Sequence, residues 1–176
     1  MLKKRKKLTL EQRRLVSALI NLADISFPSL QNELAHSINA LFWLYALFSN
    51  AQPSQAYAIL LHDCERFFQK LSVSFNPSVS TYNLYKRRHA NNSARIAGKI
   101  MEAQGFSKSD IANTTLLIKD HEYGSNESSY QVMAADSLSF FDTNIVDYYN
   151  KKGVKKTEKK VRFMWSRLKA REKQLI

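Results

Sequence analysis

Four histidines and two aspartates are the residues of this chain best suited to chemistry. The histidines, the full complement of the 176-residue sequence, are His36 in Ala-His-Ser, His62 in Leu-Leu-His-Asp, His89 in Arg-Arg-His-Ala and His121 in Lys-Asp-His-Glu. Asp63 directly follows His62, and Asp136 stands in Ala-Ala-Asp-Ser-Leu-Ser-Phe-Phe. Neutral imidazole and carboxylate are the usual ligands of divalent Zn, Mn, Fe, Co or Ni. Taken singly, each histidine reads more simply as a hydrogen-bonded structural residue. Asp136 alone reads equally as a carboxylate satisfied by backbone or arginine. Together, His36, His62, Asp63 and Asp136 would close one metal site. Cys64 is the only cysteine. It excludes an internal disulfide and a CxxC zinc knuckle, fits a reducing compartment, and reads as a small core residue.

Helices must position these residues. Only four glycines and three prolines punctuate the chain, and apolar residues recur at three- and four-residue spacing, so the expected fold is all-α, one domain of about six to seven helices. Thr9 caps a helix over 10–24. A second, over 30–49, carries His36 and is apolar nearly all round from Leu41. Pro53 opens a third, over 53–72, with His62 and Asp63 flanking the stripe Tyr57, Leu60, Leu61, Phe67 and Phe68. A fourth, over 81–104, places His89 with Tyr85, Ser93 and Ile96, and Gly105 ends it. Ser107 caps a fifth that stops near His121. A sixth, over 127–150, carries Asp136 beside Val132, Met133 and Phe140, a costly place for a carboxylate unless paired or metal-bound. Loops are expected at Ser26–Ser29 and around Pro77. A basic helix over 155–173 closes the chain, and a basic extension, 1–9, begins it.

These residues resemble the HD-domain superfamily of metal-dependent phosphohydrolases: a His, a later adjacent His-Asp pair, and a distant Asp. The intervals here, 26 residues from His36 to His62 and 73 from Asp63 to Asp136, suit that pattern. The sequence looks closest to a bacterial branch with three runs, seen as His89-Ala-Asn-Asn-Ser-Ala94, Leu117-Ile-Lys-Asp-His-Glu122 and Ala135-Asp-Ser-Leu-Ser-Phe-Phe141. The basic residues before Trp165 and the pair Arg167-Leu168 are similar to that branch's tail. The resemblance covers about 28–150. It implies one ion held by His36, His62, Asp63 and Asp136, and a second through His89 and His121 if Asp63 bridges. It also implies phosphoester hydrolysis by metal-activated water, which Asp63 would orient. Arg66, one helical turn after Asp63, would grip a phosphate of a small substrate such as a nucleotide. Its alternative is a surface pair with Glu65 or Glu122. Glu65, Lys86, Arg88 and Lys119 are further candidates for substrate or proton contacts. The turn Cys64-Glu65-Arg66 lacks the acidic pair of alarmone hydrolases, and no Gly-Tyr-Pro follows as in cyclic-dinucleotide phosphodiesterases. Some HD proteins are di-iron oxygenases with the same ligand types, which stand as the alternative chemistry.

Charge is unevenly spread. The chain has 27 Lys/Arg against 15 Asp/Glu, with seven of the basic residues in 1–14 and eleven in 151–176. Residues 15–150 carry nine basic and twelve acidic side chains, a net of −3. Basicity is therefore expected at the ends and not at the site. It would serve there as a solvated face, or else bind nucleic acid or an acidic partner on a non-catalytic, metal-stabilised module. The aromatic group Phe140, Phe141, Tyr148 and Tyr149 reads as core, with a ring free to stack on a base if it borders the cleft. No apolar run approaches the roughly 20 residues of a membrane span, so a soluble, cytoplasmic protein is expected.

Overall fold

The computed structural model describes residues 7–23, 30–68, 71–74, 76 and 81–176. The expected loops at Ser26–Ser29 and around Pro77, and most of the basic N-terminal segment, lie outside them. Among the described residues the fold is all-α, without strands. The helices are α1 (Leu10–Leu22), α2 (Leu30–Leu47), α3 (Pro53–Leu61), α4 (Tyr82–Ala103), α5 (Lys108–Asp120), α6 (Glu127–Ser139), α7 (Ile145–Lys152), α8 (Val154–Ser166) and the short α9 (Ala170–Lys173). None is long and apolar enough to cross a membrane.

Local chemistry accounts for most ends. Thr9 and Gln12 form a reciprocal capping box on α1, and Ser107 accepts from the Asp110 amide at the start of α5, each satisfying amide groups a helix leaves unpaired. Three expected helices are interrupted, each next to the candidate ligands. The helix expected over 53–72 stops at Leu61; His62 and Asp63 form its turn, and a 3-10 helix, Cys64–Phe67, follows. The helix expected over 127–150 is interrupted by a π-helical turn, Phe140–Asn144, a wide turn that re-aims side chains and recurs at functional sites. The helix expected over 155–173 breaks at Arg167–Lys169. Such breaks carry no composition signal, because the residues that make them answer to tertiary partners.

The core is one cluster running from Leu15 and Leu19 of α1 through Leu41 and Leu44 of α2, Ile59–Leu61, Ile118 and Leu138 to Leu168. Helix α2 lies along α6, and α5 is packed by both α3 and α4. Buried polar links fix these crossings: Gln12 donates to the Tyr45 hydroxyl at 2.7 Å, Gln55 to Gln131 at 2.7 Å, and Ser139 to the His36 carbonyl at 2.9 Å. The tail is held in the same way, with the Tyr130 hydroxyl donating to Glu172 at 2.8 Å.

The α5–α6 connection, which follows His121, turns at Gly124 with φ +61°. A Cβ there would lie 3.2 Å from the Tyr130 backbone and 2.8 Å from the Met133 tip, whereas at Gly105, φ +72°, it would meet nothing within 4 Å. Gly105→Ala should therefore cost about 1 kcal/mol for the left-handed backbone alone. Gly124→Ala should cost about 2 to 3 kcal/mol because crowding adds to it. Urea unfolding of both variants checks the difference, and equal losses would contradict this packing.

Candidate metal centre

Two of the four histidines are positioned by the same local device. His62 ends α3 and its Nδ1–H donates to the Ile59 carbonyl at 2.8 Å; His121 ends α5 and its Nδ1–H donates to the Ile118 carbonyl at 2.6 Å. A carbonyl three residues back can only accept, so in each neutral ring the lone pair sits on Nε2. The Nε2 of His62 is buried and has no hydrogen-bond partner.

The other two rings are oriented by side chains. Glu65, in the 3-10 turn, accepts from His89 Nδ1–H at 2.7 Å and from Asn92 at 2.6 Å, which leaves His89 Nε2 against Asp63 Oδ1 at 2.6 Å. His36 presents Nε2 to Asp136 Oδ1 at 3.0 Å and Nδ1 to the Thr143 hydroxyl at 3.5 Å. Thr143 belongs to the π-helical turn, so that turn serves the site. Carboxylate or carbonyl partners on the far nitrogen are the usual means by which a protein aims histidine at a metal.

All four rings thus turn Nε2 inward, and the inward atoms fall into two adjoining groups. One atom each from His36, His62 and Asp136 lie within 4.8 Å of one another, as do one each from Asp63, His89 and His121. Of the four residues expected at the first site, Asp63 lies nearer to His89 and His121. Its other oxygen, Oδ2, is 3.7 Å from His62 Nε2, so the carboxylate spans the two groups. The donor set fits one or two divalent transition-metal ions: imidazole nitrogens, carboxylates, and on His62 an Nε2 buried without a hydrogen-bond partner.

The electrostatics of the carboxylates agree with that fit, whereas two of the rings bind a proton in competition with a cation. Burial opposes charging Asp63, but Arg66, His62 and His89 hold its carboxyl well below the usual range; Arg167, His36 and His62 do the same for Asp136. Burial alone would keep the rings neutral, yet the neighbouring carboxylates push His62 up to about 8 and His89 up to about 9. His121 follows its burial and falls to about 4.

The centre floors a cavity of about 810 Å³. Arg66 lines it, with Nη1 3.2 Å from Asp63 and 3.7 Å from Glu33, partners other than the Glu65 or Glu122 expected for a surface pair. Lys86 is buried behind Glu122 at 3.2 Å with Nζ 4.3 Å from the Phe163 ring centre, so it supports Glu122. Glu65 is likewise behind His89. Arg88 and Lys119 are exposed and are not among the cavity residues; neither fits the substrate role expected of it, because each projects from the outer side of its helix. Cys64 is buried, its thiol donating to the Ser93 carbonyl at 3.2 Å, as a core residue. Phe140 and Tyr148 border the cavity, whereas Tyr149 is exposed.

Two features escape the sequence. Arg167, at the break after α8, donates to Asp136 Oδ2 at 2.9 Å and to the His121 carbonyl at 2.9 Å. Its only signal is its place in the family-like tail. The basic C-terminal segment is not a solvated face apart from the site: Lys151, Lys152, Lys156, Lys159 and Lys160 line the cavity. Counting charge along the chain could not reveal this, because α8 folds back over the ligands.

Removing an outer partner should loosen metal without removing a ligand. Glu65→Ala and Arg167→Met should each weaken metal affinity by about 10- to 100-fold, read by competition with a chromophoric chelator; unchanged affinity in both would contradict the assigned orientation. Because Nε2 must lose its proton to bind a cation, apparent affinity should rise with pH until it passes the His89 value of about 9. Calorimetry in buffers of different ionisation enthalpy should show proton release on uptake, and no release would contradict it.

No curated protein and no solved structure matches the chain. A family model described as a domain of unknown function, DUF4202, matches residues 21–176. That span contains all six candidate ligands, Arg167 and the five cavity lysines, and the chain belongs to the DUF4202 family.

Proposed function

We propose that the protein is a metal-dependent phosphohydrolase of the HD type, acting on a small phosphorylated compound. The observation that carries this reading is the pairing of two His/Asp groups, spanned by Asp63, with a cavity whose walls are cationic. The resemblance of the His89, His121 and Asp136 runs to an HD branch supports it independently.

A divalent cation in such a centre supplies Lewis acidity toward a phosphoryl oxygen and toward water. The rest falls to the chain's own residues. His36, His62 and Asp136 would hold one ion and Asp63, His89 and His121 a second, with Asp63 common to both. Arg66 is held at the cavity wall by Asp63 and Glu33, so its guanidinium is oriented before a phosphate arrives and loses little freedom on binding. Glu122 lines the cavity beside His121, and although burial opposes its charge, His121, Arg167 and Lys86 lower its pKa. It is thus held as a carboxylate, placed to accept a hydrogen bond from water or substrate. The lysines of the C-terminal segment, most of them exposed, line the same cavity as the two groups, and that shared cavity favours a small anion over nucleic acid as ligand.

Metal-loaded protein should release phosphate from at least one member of a panel of phosphomonoesters and nucleotides. Asp63→Ala should lower that rate by more than about 100-fold, in line with loss of a metal-directing or water-orienting group, while keeping its circular dichroism. Oxygen uptake by iron-loaded protein, with no phosphate released across the panel, would replace this reading with oxygenase chemistry.

A further inference from the structure

The C-terminal lysines exceed what the floor of the cavity requires. Each floor acid already has a cation of its own: Asp63 has Arg66, Asp136 has Arg167 and Glu122 has Lys86. Of the five lysines lining the cavity, Lys151 pairs with Asp147 at 2.8 Å. Lys152, Lys156, Lys159 and Lys160 have no acidic partner within 4 Å among the described residues.

Helix α8 divides its charge by face. Glu158 and Arg162 pair with each other at 2.8 Å on the exposed side. Lys156, Lys159 and Lys160, at i, i+3 and i+4, share the cavity side with Phe163. Like charges at that spacing weaken a helix, and here no carboxylate of the helix offsets them. Lys160 is half-buried, with Nζ 5.6 Å from the Phe140 ring centre and 5.4 Å from that of Phe163. Its burial lowers its pKa even though Asp136 and Glu122 favour its charge. A cation partly withdrawn from water, facing a cavity and unpaired, gains most from an anionic ligand.

We propose that Lys156, Lys159 and Lys160, with Lys152, form a second anion subsite at the rim, and that the ligand carries at least one phosphate beyond the one at the floor. The proposal rests on the phosphohydrolase reading for the floor and names its substrate class: a multiply phosphorylated small molecule. Charge spread from floor to rim would also fix which end enters first.

The test compares AMP with ATP, probes that differ only in their number of phosphates. Calorimetric titration uses metal-loaded full-length protein, and metal content is measured again afterwards. Wild type should bind ATP at least ten-fold more tightly than AMP. The variant Lys156→Gln/Lys159→Gln/Lys160→Gln should bring the two within about three-fold, leaving AMP affinity, metal content and thermal midpoint unchanged. Lys156→Gln alone should lose a smaller part of the advantage. Equal affinity for AMP and ATP in wild type, or an advantage that survives the triple variant, would overturn the subsite. A single-stranded oligonucleotide that displaces ATP through these lysines would overturn it in favour of nucleic acid. Failure of the floor reading is separate: AMP affinity would then be indifferent to Asp63→Ala, whatever the lysines do.

Discussion

Asp63 and Asp136 are buried carboxylates placed among four buried imidazoles, and satisfying that group is the constraint on which the rest of the structure depends. An uncompensated charge in a protein interior is expensive, and a buried ion pair broken on one side costs several kcal/mol. Here compensation comes from every direction. Arg66 reaches Asp63 from the 3-10 turn and Arg167 reaches Asp136 from the far end of the chain. Glu65, Ile59, Ile118 and Thr143 take the outward nitrogens of the rings. What they leave facing inward are four imidazole Nε2 atoms and two carboxylates, and of these nitrogens His62 Nε2 is buried without a hydrogen-bond partner. Divalent cations, one to each group of three donors, would satisfy them.

That constraint explains where the helices fail to run on. α3 must end at Leu61 so that His62 and Asp63 can turn toward α2 and α5, and α5 ends at Asp120 so that His121 can do the same. The π-helical turn after α6 brings Thr143 under His36, and the break after α8 lets Arg167 reach Asp136 and the His121 carbonyl. Each irregularity adjoins a ligand. The regular parts, by contrast, answer to the apolar core and to capping at Thr9 and Ser107.

The all-α fold was legible in the sequence because amphipathic spacing reports helices, and the six residues that the structure gathers as candidate ligands were legible because His62-Asp63, His89, His121 and Asp136 stand in motifs. Which group Asp63 lies nearer to was not: the sequence allowed it to bridge, and the turn at the end of α3 sets its carboxylate beside His89 with the other oxygen toward His62. Arg88 and Lys119 stood next to ligands in sequence yet point outward, since neighbours along a helix face different sides. Arg167 and the cavity lysines were hidden for the opposite reason. They follow the last candidate ligand in sequence and are brought over the site by the packing of α8, with Thr157 and Met164 buried, and of Leu168. Linear charge counting assigned them to a solvated helix face away from the site, where the fold makes them part of the cavity wall.

The account stands or falls on whether the buried donors hold metal. Elemental analysis of the purified, reconstituted protein beside its His62→Ala variant tests this most directly, with the ion-to-chain ratio measured for each. The account predicts one or two divalent transition-metal ions per wild-type chain and loss of at least one in the variant. Wild-type protein that stays metal-free after reconstitution, or a variant that keeps the full wild-type complement, would contradict it.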